Sequence, residues 1–274
     1  MRRSEPPRCA IPPEHGGLAD LLESLYRRFH RPEYLGTDPL CQVLPYDDPP
    51  DRQVAGLVTA CLAYGRVAQI QASVTRALAP LGLRPSVFLR DADDATIEHH
   101  YHNFVHRVTG PGDVAALLRG IRGVLRTRGS LGACFAAHMG PEDATVTPAL
   151  ALFVAEVKAH GGMGEACHLL PDPRRGSACK RLFLYLRWMV RHDAVDPGGF
   201  EGVSPRLLVM PVDTHVLRFC QEQGITTRRG ADLATAFEIT EVLRAIAPHD
   251  PCRYDFAITR AGMGAWGRLT APGK

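Results

Sequence analysis

Two residues stand out as able to do chemistry together, Lys180 and Asp213. Lys180 lies in the stretch Cys179-Lys180-Arg181, at the start of an apolar periodicity in which Cys179, Leu182, Phe183, Leu186, Met189 and Val190 recur at three- and four-residue steps, the pattern of an amphipathic helix. Asp213 follows an apolar run that ends at Pro211 and precedes a second periodic set, Val216, Leu217 and Cys220. An aspartate in that position acts as the N-cap of the helix it precedes. An amine and a carboxylate are therefore both expected at helix starts.

The lysine is unusual in this chain. Of 32 basic residues only Lys158, Lys180 and Lys274 are lysine. Arginine binds phosphate at least as well and stays protonated, so a lysine at this point suits a task that needs a free amine. The positive end of the helix dipole and the flanking cations Arg175 and Arg181 disfavour a further positive charge, which is the setting of a nucleophilic lysine. The rival reading is structural. Lys180, Arg187 and Arg191 then form one solvated stripe, and Asp213 is only a cap.

The elements that must position this pair are helical, and no convincing period-two strand interrupts them. Helices are predicted over Leu18 to Phe29, over the nearly continuous apolar run VAGLVTACLAYG after Asp51, and over the Val67, Ile70, Val74 and Leu78 pattern. Further helices are predicted at 111–126, about 130–138, PALALFVAEVKAH, 213–222, 231–246 and 253–263. Residues 1–16 read as a loose arm and residues 31–50 as loop. The segment IEHHYHNFVHRV places His99, His102 and His106 where they could share a helical face and hold zinc. No carboxylate partners accompany them, and the expectation is partly buried histidines without metal.

The segment Pro211-Val212-Asp213-Thr214-His215-Val216, preceded by Lys180, resembles the catalytic region of the helix-hairpin-helix DNA glycosylases, the superfamily of endonuclease III and 8-oxoguanine glycosylase. The long separation of the two residues is similar to that in the archaeal 8-oxoguanine glycosylase branch. The chain also resembles an uncharacterised bacterial family with a SACKR...RWMVR signature. The ending APHDPCRYDFAITRAGMG looks like the superfamily's closing helix. The resemblance implies an all-α fold of two helical lobes, one at about 51–160 and the other at about 17–50 with 161–274, gripping double-stranded DNA in the cleft. It implies glycosylase activity with abasic-site lyase activity, Lys180 attacking the sugar and Asp213 stabilising its charge, on a flipped modified base of which an oxidised purine is the leading guess. At the helix–Gly–helix junction it implies DNA contacts from Tyr64, Arg66 and Gln69, and around the pair it implies phosphate contacts from Arg174, Arg175, Arg181 and His215. Apart from that resemblance, a non-catalytic helical nucleic-acid-binding module and an enzyme acting on another modified base or on RNA remain open.

Composition bounds the rest. The chain has 274 residues, 45% hydrophobic and 22% charged, as in ordinary globular proteins, with a formal net charge of +3. Six basic residues and no acidic one lie between Arg174 and Arg191, which suits a polyanionic partner. No segment supplies the roughly 18 apolar residues of a membrane helix, and no signal-peptide core is seen, so a cytosolic, nucleoid-associated monomer is expected. The eight cysteines are scattered without a C-x-x-C pair, which predicts reduced core residues and neither an iron–sulfur cluster nor another cofactor.

Overall fold

A computed structural model of the chain describes residues 16–262, and these form an all-α protein with no β-strand among them. The arm expected at 1–16 falls almost wholly outside the described residues. The longest and most apolar elements make the frame. Helix α1 (Gly16–Phe29) is followed by two 3-10 turns, Pro32–Thr37 and Pro39–Gln42, and then by α2 (Pro49–Leu62). From Gln53 to Leu62 every residue of α2 is buried, so it is the central helix that its sequence predicts. Ala63 ends it, and after Gly65, at φ +105°, the chain enters α3 (Val67–Leu78).

Two short helices follow, α4 (Pro85–Asp91) and α5 (Asp94–Tyr101). The buried carboxylate of Asp51 accepts the Ser86 N–H at 2.7 Å, so an acid of α2 serves the orphan donors at the start of α4. Helices α6 (Pro111–Arg128), α7 (Leu131–Ala137) and α8 (Thr147–Gly161) pack against these and one another. The α6–α8 crossing is close because glycines line it. A β-carbon on Gly120 would collide with the Val157 carbonyl oxygen, and one on Gly161 with the Ala116 carbonyl oxygen.

The remaining helices are α9 (Lys180–Val190), α10 (Thr214–Glu222), α11 (Leu233–Ile246) and α12 (Asp255–Arg260). Helix α9 lies along α2, where Gly56 lets Tyr185 and Met189 approach, and α12 packs on α1 and α10. The buried apolar side chains of all these helices form one continuous cluster. Cys61, Cys134, Cys179, Cys220 and Cys252 are buried free thiols within it. Among the described residues no helix is long and apolar enough to cross a membrane.

Three expectations about elements need correction. The 31–50 stretch is not plain loop, because its two proline-started turns bury Leu35, Asp38 and Leu40. The histidine segment is not one helix. Helix α5 ends at Tyr101, and His106 instead closes a tight turn with Thr109. The closing helix starts later than 253, at Asp255, after a turn at 251–254, and its expected end at 263 lies outside the described residues.

Candidate active site

Lys180 is the first residue of α9, and the chain turns sharply into it. Cys179, the residue before, sits at φ +45°, an uncommon conformation for a residue other than glycine. Its thiol hydrogen-bonds to the Pro171 carbonyl oxygen at 3.5 Å, and burial pushes its pKa up to about 11, so it stays a thiol. The approach is fixed further back by a 3-10 turn, Pro173–Arg175, and by a bridge between Ser177 and Asp232.

Asp213 caps α10 as its position predicts. One carboxylate oxygen, Oδ1, accepts the N–H groups of both His215 and Val216 at 2.9 Å. The other, Oδ2, lies 3.3 Å from Nζ of Lys180. The cap therefore fixes the carboxylate while leaving one oxygen for the amine. Both residues line a cavity of about 810 Å³ whose other walls come from the α2–α3 junction, the Thr37–Pro39 segment and α12.

The side chains expected to contact DNA differ in exposure and in what already holds them. Arg175 and Arg66 are exposed, with no ion-pair partner among the described residues. Gln69 and His215 are exposed too, and His215 lines the cavity. Arg174 is exposed but is held by Asp172, with Nη2 to Oδ2 at 2.6 Å.

Arg181 is half-buried on the cavity wall, and its guanidinium is already engaged. Its guanidinium donates to the carbonyl oxygens of Cys61 and His168 and lies 5.0 Å above the ring of Tyr64. The physical reason is the end of α2, where carbonyl groups without helical partners attract a cation. Tyr64 is thereby corrected as well. It is no free stacking ring on an exposed corner, because its hydroxyl donates to His106 O at 2.9 Å and meets the Thr109 hydroxyl, with Arg181 covering its face.

The solvated stripe of Lys180, Arg187 and Arg191 is not found either. Arg187 and Arg191 are 2% and 4% exposed and belong to a buried ion network. Arg187 pairs with Asp196 at 3.0 Å and with Asp255, and Arg191 pairs with Asp196 at 2.8 Å, with Asp193 and with Asp250. Four carboxylates thus share two guanidinium groups, and the acids titrate apart accordingly. Asp193 is pushed up by burial, but the contact with His30 and the charge of Arg191 outweigh this and hold it well below the usual carboxylate range. Burial raises Asp250 above that range against the pull of Arg191. Asp255 is pushed up to about 6, by burial first, against Arg187 and with the help of the Asp213 charge.

Asp255 lines the same cavity, so an acid with a raised pKa shares its wall with Lys180 and Asp213. Beside it Arg260 pairs with Asp38 at 2.7 Å and donates to Thr37, while its buried Nε has no hydrogen-bond partner. None of Asp38, Asp255 and Arg260 stands out from the sequence. One signal was available, namely arginines at 187 and 191 inside an otherwise apolar helix, which demand buried acids elsewhere in the chain.

The three histidines do not converge. His99 and His102 are exposed, whereas His106 is buried, with Nδ1 2.9 Å from Ser73 Oγ and Nε2 3.0 Å from Tyr64 O. A carbonyl can only accept, so Nε2 carries the proton, and burial keeps the ring's pKa below the ordinary value. The trio able to hold a metal ion among the described residues is Cys134, His138 and Glu156, away from the cavity. Its Glu156 is already taken by both arms of Arg128 and by His138.

A protein-family model described as "Protein of unknown function (DUF2400)" matches residues 38–264. No curated protein and no solved structure matches the chain. The resemblance to the helix-hairpin-helix glycosylases is thereby overturned, since the family that matches is a different one and no glycosylase family of that superfamily does. The structure gives a physical reason for the misreading. An aspartate followed by small and polar residues is what any N-cap before an apolar helix looks like. Ahead of Lys180 there is a 3-10 turn where that superfamily has its hairpin.

Proposed function

We propose that the chain, which belongs to the DUF2400 family through the match over residues 38–264, is a DNA glycosylase and abasic-site lyase. It removes a modified base from double-stranded DNA as a monomer, with Lys180 as nucleophile and Asp213 as the carboxylate beside it. One observation carries the reading. Nζ of Lys180 and Oδ2 of Asp213 meet at 3.3 Å on the wall of a cavity of about 810 Å³. A space of that size lies within the range of small-ligand sites, ~300–1,000 Å³, and suits an extruded nucleoside.

The chemistry follows from the pair. As the base–sugar bond stretches, positive charge builds on the sugar, and the fixed carboxylate of Asp213 stabilises it. The neutral form of the Lys180 amine attacks the anomeric carbon as the base departs with the bond's electron pair, and the proton shed by the attacking nitrogen neutralises the departing base. Opening of the sugar ring leaves a Schiff base, from which β-elimination expels the 3′ phosphate. Arg66, Arg175 and His215 are exposed around the cavity and supply phosphate contacts that set position rather than sequence.

The test is covalent capture. Duplexes each carrying one modified base are incubated with the full chain and sodium borohydride, and a protein–DNA adduct is expected with the correct lesion. Lys180→Gln and Lys180→Arg should both abolish it, although arginine retains the charge. Base release by Lys180→Arg at the wild-type rate would show that the amine is not the nucleophile.

A further inference from the structure

We infer that the two-residue turn Arg107–Val108 is a wedge that enters the duplex and fills the space left by an extruded nucleotide. The inference rests on the glycosylase reading of the cavity.

The turn is tight and unusual in composition. His106 and Thr109 exchange both backbone hydrogen bonds, at 2.9 and 2.8 Å, which leaves only Arg107 and Val108 at the tip. Arg107 takes φ +54°, a conformation that glycine normally supplies at the first tip position of such a turn. Val108 is 74% exposed, and Val105 beside the turn is 57% exposed. Turns normally place polar residues there, and a single exposed valine would mean little. The argument lies in what holds this one.

The turn is fastened from beneath to the cavity wall. The Tyr64 hydroxyl donates to His106 O at 2.9 Å and contacts the Thr109 hydroxyl, which in turn lies 2.8 Å from Nε2 of His168. The buried His106 ring is held by Ser73 and by the Tyr64 carbonyl. Tyr64, Gly65 and His168 all line the cavity. The Arg107 side chain lies over Gly65, so close that a β-carbon there would come within 2.9 Å of its Cδ. Arg76 stiffens the base of the turn by donating to Val105 O at 3.1 Å.

Four requirements for a wedge are thus met together. The tip presents the apolar Val108, the turn is braced by hydrogen bonds, and it is continuous with the wall of the cavity that would receive the nucleotide. It is also flanked by the exposed cations Arg66 and Arg107, which suit the phosphates on either side of an opened step. Apolar side chains inserted between base steps are a known means of opening a duplex. The charge around the tip favours nucleic acid as its occupant.

The test uses a duplex in which a tetrahydrofuran abasic analogue faces 2-aminopurine, whose fluorescence rises on unstacking. Because the analogue cannot react, insertion is read without catalysis. Full-length wild type should bind with a fluorescence rise. Val108→Asp should lose the rise and bind about tenfold more weakly, with an unchanged melting temperature, and Val108→Leu should keep both properties. A parallel arm measures borohydride trapping of wild type on a natural abasic site. Trapping without a fluorescence rise, or a Val108→Asp response equal to wild type, overturns the wedge and leaves the chemistry standing. A rise that depends on Val108 without any trapping upholds the insertion and overturns the lysine chemistry. No binding to either duplex overturns both.

Discussion

Asp213→Asn separates the two tasks of one carboxylate. Oδ1 accepts two backbone N–H groups at 2.9 Å, and an asparagine oxygen takes over that role at almost no cost, since asparagine caps as well as aspartate. What the variant loses is the charge facing Lys180 at 3.3 Å. At an effective dielectric constant of about 20 the bare attraction at such a distance is about 5 kcal/mol. The side chains are 33% and 18% exposed, so solvation and screening offset most of it and leave about 1 kcal/mol or less. The expected melting shift is therefore about 2–4 °C. Base release under single-turnover conditions should fall about 10²- to 10³-fold, the usual cost of removing a fixed charge partner of the transition state. Asp213→Ala adds the loss of the cap, about 1 kcal/mol, without slowing the chemistry much further. The two variants should thus differ in stability and agree in rate. A wild-type rate for Asp213→Asn, or a stability loss in it as large as that of the alanine variant, would refute the division of labour between the two oxygens.

Three other outcomes are expected. Arg187→Met leaves Asp255 buried without its guanidinium and Asp196 with Arg191 alone, so urea unfolding should report about 3–5 kcal/mol of destabilisation; a loss under 1 kcal/mol would mean the network is solvated. The pKa of Asp255 is raised to about 6, so its contribution to stability is complete below the usual carboxylate range and lost as pH rises through 6. Relative to Asp255→Asn, wild type should lose on the order of 3 kcal/mol between pH 4 and 7, and a constant difference between the two melting curves would contradict this. Gly120→Ala should cost about 1–3 kcal/mol because its β-carbon meets the Val157 backbone, while Gly112→Ala, with open space around it, should melt like wild type.

The sequence and the structure agree where local pattern decides and part where distant partners decide. The periodicities of α3, α6 and α8 are visible because burial follows the helical repeat, α2 is visible as a nearly unbroken apolar run, and Asp213 is visible as a cap because capping is set within three residues. The short helices α4 and α5 carry too few turns to establish a period. Arg187 and Arg191 look like solvated cations until residues far along the chain, Asp250 and Asp255, are seen beside them. Tyr64 and Arg181 look like surface groups for the same reason, since the atoms that hold them are the Thr109 hydroxyl and the carbonyls of Cys61 and His168. The likeness at Pro211–Val216 fails as the mark of a superfamily because it is a capping motif, set by a few neighbouring residues and common to many helix starts.

The buried ion network also constrains how this chain can diverge. Arg187, Arg191, Asp193, Asp196, Asp250 and Asp255 come from two stretches of sequence, yet every one of them pairs with another of the set, Asp193 with His30 as well. A descendant that exchanged one of them for a neutral residue would carry a stranded ion in its interior, and the cost would select against it before any compensating change arose. Related chains should therefore keep these six positions intact or alter them in matched groups. The floor beneath Lys180 and Asp213 should therefore change only as a block, while the tip of the turn, exposed and free of ion pairs to the network, can exchange Val108 for another apolar residue by itself.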